Sequence, residues 1–332
     1  MAKVSVCLVT WNGAKFIKEC LDSLQKQTYR DFEIQILDNA SLDETKEILR
    51  RDYPQINVEY QNNNLGFTRA VNKLLLRARG EYALVVNQDT VLDEYCLEEL
   101  VKSMDANPKA GAVGPLLYRL IDFEKSAMVD SFGLVIKKNY QVYDDLAGQS
   151  LAENILRGDD LQLVLRERGI EVDKHGNREV FGVSGALVMY RKSALESVRY
   201  ENEYFDNDFF AYQEDFDLAL RLRLAGWAAF VATRATAWHF RTLKPEQSGS
   251  SFHKMYNFRN YFLFTDKTAN WGKYCLPITF HRWASCLKCF FTAPKIWWRA
   301  TRERARLKKR ILQKRQVILK YIKNSDLSMW MK

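Results

Sequence analysis

The chain has 332 residues, 47% hydrophobic and 27% charged, with only 15 Gly and 6 Pro. That composition excludes a disordered, fibrous or low-complexity protein. The net charge of +9 sits at one end: thirteen Lys and Arg face two acids, Glu303 and Asp326, from Lys295 to Lys332, whereas the residues before them carry 37 basic and 39 acidic side chains. A body so close to neutral argues against a nucleic-acid-binding surface spread over the molecule.

From the N-terminus, Val4 to Val9 reads as a strand that meets Asn12-Gly13 too soon for a secretory signal. Phe16, Ile17, Cys20, Leu21 and Leu24 then recur at helical spacing. Phe32 to Leu37 is a second strand ending at Asp38-Asn39-Ala40-Ser41, with Ser41 placed to cap a helix containing Thr45, Ile48 and Leu49. Asn57 to Tyr60 is a short third strand, Gly66 to Ala78 a helix, and Tyr82 to Val86 a fourth strand that runs into Asn87-Gln88-Asp89. The alternation predicts an α/β fold with a mostly parallel sheet and helices on both faces. Ligands of such sheets bind at the carboxyl ends of the strands. Three of these strands end in polar residues (Thr10-Trp11-Asn12, Asp38-Asn39 and Asn87-Gln88-Asp89), so one cleft is expected there.

Lys137 to Glu179 is polar, with weak periodicity, and reads as an insertion over one edge of the sheet. Order returns at Val180 to Met189, with a helical Ser193 to Val198; Phe209 to Asp217 then leads into a leucine-rich helix ending before Gly226. A last strand, Ala228 to Ala232, leads to Trp238-His239. Eight aromatics lie between Trp271 and Trp298, but no run of 18 apolar residues predicts a membrane span. Leu307, Ile311, Ile318, Leu319 and Ile322 among the tail cations suggest an amphipathic helix. The expected organisation is a catalytic domain over 1–245, with its insertion at 137–179, and a helical extension over 246–332. The six cysteines are irregularly spaced, and Cys286-Leu287-Lys288-Cys289 lacks the second pair of a zinc site. Free thiols in a reducing cytosol are expected.

Six segments carry the chemistry: Val9-Thr10-Trp11-Asn12-Gly13, Asp38 to Asp43, Asn64-Leu65-Gly66-Phe67, Asn87-Gln88-Asp89, Ser184-Gly185-Ala186 and Tyr212 to Asp217. In order and spacing they resemble the glycosyltransferase family 2 proteins of the GT-A fold, and most of all the bacterial rhamnosyltransferases. The resemblance covers residues 3–240. It implies an inverting transferase that uses a nucleotide sugar, dTDP-rhamnose first and uridine-linked hexoses second, with Mg²⁺ or Mn²⁺. The implied acceptor is a hydroxyl of a lipid-linked oligosaccharide or growing cell-surface polysaccharide. The implied donor contacts are Thr10, Asn12, Asp38, Asn39, Gly66, Phe67, Asn72, Asn87, Gln88, Asp89 and Arg241, with Asp38 on the nucleobase. Asp89 stands where the family has an Asp-x-Asp metal motif, its first acid replaced here by Asn87. His239 matches a metal- or diphosphate-binding histidine, and Lys244 lies nearby. Asp215 is the implied general base, with Glu214 orienting the base or the acceptor.

Chemistry agrees with this assignment, because glycosyl transfer needs a cation on the diphosphate and a base for the acceptor hydroxyl. Adjacent acids such as Glu214 and Asp215 raise one another's pKa. Asp217, four residues before Arg221, is instead expected to pair with it. Plainer readings remain for each site: an Asx turn at Asp38, a turn acid at Asp89, a packed imidazole at His239 and an acidic helix N-terminus at Glu214-Asp215. A sugar nucleotidyltransferase would want a Gly-rich, basic phosphate loop, which Thr10-Trp11-Asn12-Gly13 is not. A non-enzymatic adaptor would rest on the basic tail. Few stacking aromatics follow Trp298, so that tail suits the inner face of the cytoplasmic membrane better than nucleic acid. A helix packed on the body or in a homodimer is the alternative.

Overall fold

The computed structural model describes residues 2–151, 161–240, 250–269, 271–322 and 328–331. The first half alternates as expected: β1 (Val4–Thr10), α1 (Ile17–Gln25), β2 (Phe32–Asp38), α2 (Thr45–Asp52), β3 (Asn57–Tyr60), α3 (Phe67–Arg77) and β4 (Tyr82–Asn87). β1 lies between β2 and β4, with β3 outside β2, and all three pairings are parallel. Every residue of β1 is buried because helices cover both faces, which is why its apolar run does not alternate with polar residues. Val4, Val6 and Leu8 pack with Ile17, Leu21 and Leu24 of α1; Cys7 and Val9 pack with Val71, Leu74 and Leu75 of α3.

The second half is more mixed. After β5 (Thr90–Leu92) and α4 (Cys96–Ala106), β6 (Ala110–Ile121) and β7 (Glu124–Ser131) form a long antiparallel hairpin with no counterpart among the sequence expectations. Its two turn residues, Asp122 and Phe123, are both left-handed (φ 49° and 68°). A type I′ turn needs that conformation, but here it lacks the Gly that would announce it. β8 (Leu134–Ile136) and β9 (Val142–Asp144) pair with each other; α5 (Leu161–Glu167) follows. β10 (Asn177–Val180) pairs with β12, so the expected insertion ends as an edge strand of the main sheet.

Beyond it come β11 (Leu187–Arg191), α6 (Lys192–Ser197), α7 (Glu214–Leu224) and β12 (Ala228–His239). The main sheet runs β10-β12-β6-β11-β4-β1-β2-β3. β12 does not stop at Ala232. A register shift against β6 between Ala232 and Thr236 carries the polar Thr233-Arg234 past the break, and the strand resumes to His239.

Three α-helices follow among the described residues: α8 (Ser251–Thr268), α9 (Trp271–Thr292, kinked near Tyr274) and α10 (Pro294–Ile322). Pro294 fills the first helical position, where its missing N–H costs nothing. α10 packs along α8, burying Ile311 and Ile318 with Leu263 and Phe264. Several cations of the basic tail pair with acids of the body, and one of them is buried. Lys314, 4% exposed, lies 2.7 Å from Glu203 and 3.0 Å from Asp208 and also binds Asp206. Arg304 pairs with Asp266 at 2.7 Å, and Arg310 with Asp208 at 3.0 Å. These side chains fasten α10 to the body, in keeping with the alternative of a helix packed there. No described helix is long and apolar enough to cross a membrane.

Candidate active site

The carboxyl ends of β1, β2 and β4 meet as expected. Thr10 Oγ1 and the Trp11 N–H both donate to Gln88 Oε1, at 2.5 and 2.9 Å. A Cβ on Gly13 would lie 2.3 Å from that same oxygen, so a larger residue there would displace the Gln88 side chain. Asn12 accepts the Leu42 N–H at 2.8 Å and donates its own N–H to Ser41 Oγ at 2.9 Å. Ser41 therefore does not cap α2. The carboxylate of Asp43 takes the Thr45 N–H instead, at 3.1 Å. Asp38 is fully buried: Oδ2 accepts the Ser41 N–H at 3.2 Å, whereas Oδ1 has no hydrogen-bond partner among the described residues. The turn thus engages one oxygen of the carboxylate and leaves the other buried without a hydrogen-bond partner among the described residues.

Asn39 organises the neighbouring turn, donating to Asn64 Oδ1 at 3.0 Å and accepting the Leu65 N–H at 2.8 Å. Gly66 has φ +80°, and a Cβ there would come within 2.5 Å of the Phe210 ring. Phe67 is half-buried, its ring edge-on to Phe205. Asn72 differs from expectation. Its amide donates to Phe205 O (2.7 Å) and Asn207 Oδ1 (3.0 Å), and its oxygen accepts the N–H groups of Tyr204 and Phe205. With those groups engaged inside the protein, Asn72 shapes the loop after α6 rather than a ligand pocket. Arg241 and Lys244 lie outside the described residues.

Asp89 and His239 face one another across the β5–β12 ladder. Thr90 pairs with His239, and the Phe240 N–H closes onto Asp89 O at 2.8 Å. His239 Nε2 thereby stands 3.5 Å from Asp89 Oδ1, and Nδ1 stands 2.8 Å from Asp130 Oδ2. Burial would lower the imidazole pKa, but the two carboxylates push it up to about 10. A cation at Nε2 displaces the proton held there. Among the described residues no three His, Cys, Asp or Glu side chains are arranged to hold a metal. Asp89 and His239 nonetheless fit one. Two donors on one hard cation lie about 3 Å apart, and the remaining ligands of such an ion are diphosphate oxygens and water. Asp130 escaped the sequence expectations, although a lone acid between Val129 and Phe132 is a usable signal.

Glu214 and Asp215 open α7 from a contorted loop in which Phe210, Tyr212 and Gln213 all have positive φ. Such backbone persists only where the surroundings hold it. Here Asn260 of α8 donates to the carbonyls of Phe209, Ala211 and Tyr212, at 3.1, 2.8 and 2.7 Å. Asp215 accepts the N–H of Gly185 at 3.0 Å and of Phe216 at 2.9 Å. The same Ser184–Ala186 turn receives the Asn87 N–H on Ala186 O, which joins Asp215 to the end of β4. Burial, with the nearby Asp144, raises Asp215 to about 6. Burial and the charge of Asp215 push Glu214 to about 8, and Glu214 Oε2 has no hydrogen-bond partner among the described residues. Asp217 pairs with Arg221 at 2.9 Å, as expected, and also with Lys267 at 2.6 Å.

A carboxyl whose folded pKa is raised stabilises the protein fully below its unfolded pKa, and that contribution fades as pH climbs toward the folded value. Glu214→Gln should accordingly melt higher than the parent at pH 8, with the gap closing toward pH 4.5; a constant gap across melts over that range would contradict the assigned environment.

Comparisons with known proteins agree with this arrangement. The family model described as "Glycosyl transferase family 2" matches residues 5–199, and "Glycosyl transferase family group 2" matches 167–300. An N-acetylglucosaminyl-diphospho-decaprenol L-rhamnosyltransferase of Mycobacterium tuberculosis is 25% identical over 81% of this chain and 86% of its own. Among solved structures, GalNAc-T7 with UDP, GalNAc and Mn²⁺ superposes with a TM-score of 0.61 at 14% identity, over 81% of this chain and about half (48%) of that one. The mannosyltransferase PcManGT of Pyrobaculum calidifontis, with GDP-Man and Mn²⁺, gives 0.53 at 18% identity over 96% and 85%. The fold is thus the GT-A arrangement, with the three C-terminal helices added.

Proposed function

Because the chain belongs to glycosyltransferase family 2 and takes its sugar from a nucleotide sugar, we propose that it is a metal-dependent, inverting transferase acting on a lipid-carried acceptor. The observation that carries this reading is the placement of two acidic sites across one turn: Asp89 with His239 at the end of β4, and Asp215, held by Gly185, at the start of α7.

Asp38 Oδ1 is the acceptor available to the nucleobase. Asp89 and His239 would hold a divalent ion that offsets the charge of the leaving diphosphate. Mn²⁺ is the first ion to test, because Mg²⁺ takes oxygen ligands and keeps its water more strictly, whereas one imidazole nitrogen is part of this site. Asp215 takes the proton of the acceptor hydroxyl as its oxygen attacks the anomeric carbon. The bond from that carbon to the diphosphate oxygen breaks on the opposite face, and the nucleoside diphosphate leaves with the electron pair. Glu214, protonated near neutral pH, can donate a hydrogen bond to the acceptor. The acceptor side is placed at a cavity of about 460 Å³ whose walls include Gln213, Phe216, Tyr261, His281 and Lys288. L-Rhamnose from dTDP-rhamnose is the first donor to test, since the mycobacterial relative is named for that sugar. Release of nucleoside diphosphate across dTDP-, UDP- and GDP-sugars is the deciding assay. No release from any of them would overturn the reading.

Chelator should abolish transfer, and Asp89→Ala should weaken UDP·Mn²⁺ binding far more than uridine binding in calorimetric titrations. Full turnover in excess chelator would remove the metal from the proposal.

A peripheral position on the inner membrane face is part of the same proposal, and α9 supports it. Leu276, Phe280, Trp283, Leu287, Phe290 and Phe291 recur at helical spacing and are exposed, Phe280 by 72% and Trp283 by 62%. Lys288, Lys295 and Arg302 beside them are exposed cations suited to anionic headgroups. The protein should co-sediment with phosphatidylglycerol vesicles at low salt, and a Phe280→Ser, Trp283→Ser double variant should not, at unchanged melting temperature. Equal sedimentation of the two proteins would assign the face to another contact.

A further inference from the structure

Resting on the reading of Asp89 and His239 as the cation site, we propose that Asp130 is a positioning residue that fixes the tautomer of His239 and so presents Nε2 to the cation. Asp130 belongs to β7, outside every motif that marks the donor site, and is fully buried. Its Oδ2 lies 2.8 Å from His239 Nδ1. An ionised carboxylate only accepts hydrogen bonds, so the proton of the neutral ring sits on Nδ1 and the lone pair on Nε2. Nε2 is the nitrogen that faces Asp89. The backbone of His239 is held between Thr90 of β5 and Arg119 of β6, and Arg119 Nε lies 3.5 Å from the second oxygen of Asp130.

The β6–β7 hairpin therefore brings a carboxylate behind the imidazole, and the ladder brings Asp89 in front of it. Burying a carboxylate this completely is costly unless the groups around it need the charge. Histidines that bind metals commonly donate their other N–H to such a carboxylate. Losing that partner weakens metal affinity roughly tenfold to a hundredfold. The competing account is that Asp130 merely braces the hairpin through Arg119.

Mn²⁺ titrations in the presence of UDP, read from the paramagnetic resonance signal of free Mn²⁺, separate the two. Asp130→Ala should weaken Mn²⁺ binding by about tenfold or more, and Asp130→Asn less, because its amide oxygen still accepts from Nδ1. In a His239→Ala background, Asp130→Ala should cost nothing further, since Asp130 acts through the ring. If His239→Ala weakens Mn²⁺ binding while Asp130→Ala stays within about twofold of the parent, Asp130 only braces the hairpin; the cation site stands, and this proposal is overturned. If His239→Ala itself leaves Mn²⁺ affinity unchanged, the cation-site reading fails and the proposal fails with it. Should Asp130→Ala not fold, Asp130→Leu, similar in size but unable to accept from Nδ1, decides: parental affinity in that variant overturns the role.

Discussion

Asp215→Asn should fold, bind UDP·Mn²⁺ as the parent does, and lose at least about a hundredfold in turnover, the lower range of what a positioned base contributes. The amide keeps the shape of the carboxylate but cannot take a proton. Its oxygen can still accept from Gly185, so α7 stays in place. The pH profile adds a second signature. A base must be ionised and the Glu214 donor protonated, so kcat/KM should rise with pH as the Glu214–Asp215 pair loses its first proton, at an apparent value of about 6, and fall as it loses the second, at about 8. Asp144→Asn removes a charge that raises Asp215, so the acid limb should move to lower pH. Turnover near the parental level in Asp215→Asn would take that residue out of the mechanism.

How much of this was legible depended on whether the signal was local. The parallel half of the sheet was readable because each strand is a short apolar run closed by polar residues, and burial on both faces leaves no other pattern. Asp38 and Asp89 were expected at the cleft because ligand sites of such sheets gather at strand ends, and the structure puts them at the carboxyl ends of β2 and β4. Ser41 misled because a serine just before a helical pattern satisfies the cap rule on paper, but its hydroxyl serves Asn12 instead. Asn72 misled for the opposite reason: proximity to Gly66 in sequence says nothing of the loop after α6 that consumes its amide. Asp130 stood out only as a lone acid in an apolar run and Asn260 not at all, and the partner of neither was readable, because what they hold lies 109 positions away for His239 and 48 for Tyr212. Spacing within a motif cannot report such pairs.

The tail shows the same limit in energetic form, and it sets the other large effect. Lys314→Met should lower stability by about 3–5 kcal/mol, since removing one member of a buried ion network strands its partners. For a chain of this length that is a fall of about 5 °C in melting temperature, from a typical unfolding entropy per residue. Lys314 touches Glu203, Asp206 and Asp208, and Asp206 is shared with Lys267, which also grips Asp217 two residues beyond the proposed base. Burial alone would raise Asp206, but Lys267 and Lys314 hold its carboxyl well below the ordinary range. A depressed carboxyl stabilises above its unfolded pKa and loses that contribution as pH falls toward the folded value. The parent should therefore lose stability below about pH 4, and Lys314→Met should lose less over the same interval, so the two melting curves converge in acid. Melting temperatures at pH 7 that agree within about 1 °C would show the network to be dispensable. This coupling also governs how membrane docking can be tested. Truncation after Lys267 would remove Lys314 and Arg310 and leave Glu203, Asp206 and Asp208 without those partners, so lost vesicle binding in such a protein would report damage near α7. Serine substitutions on the exposed face of α9 leave the buried network whole, and only they separate lipid contact from the integrity of the catalytic helix.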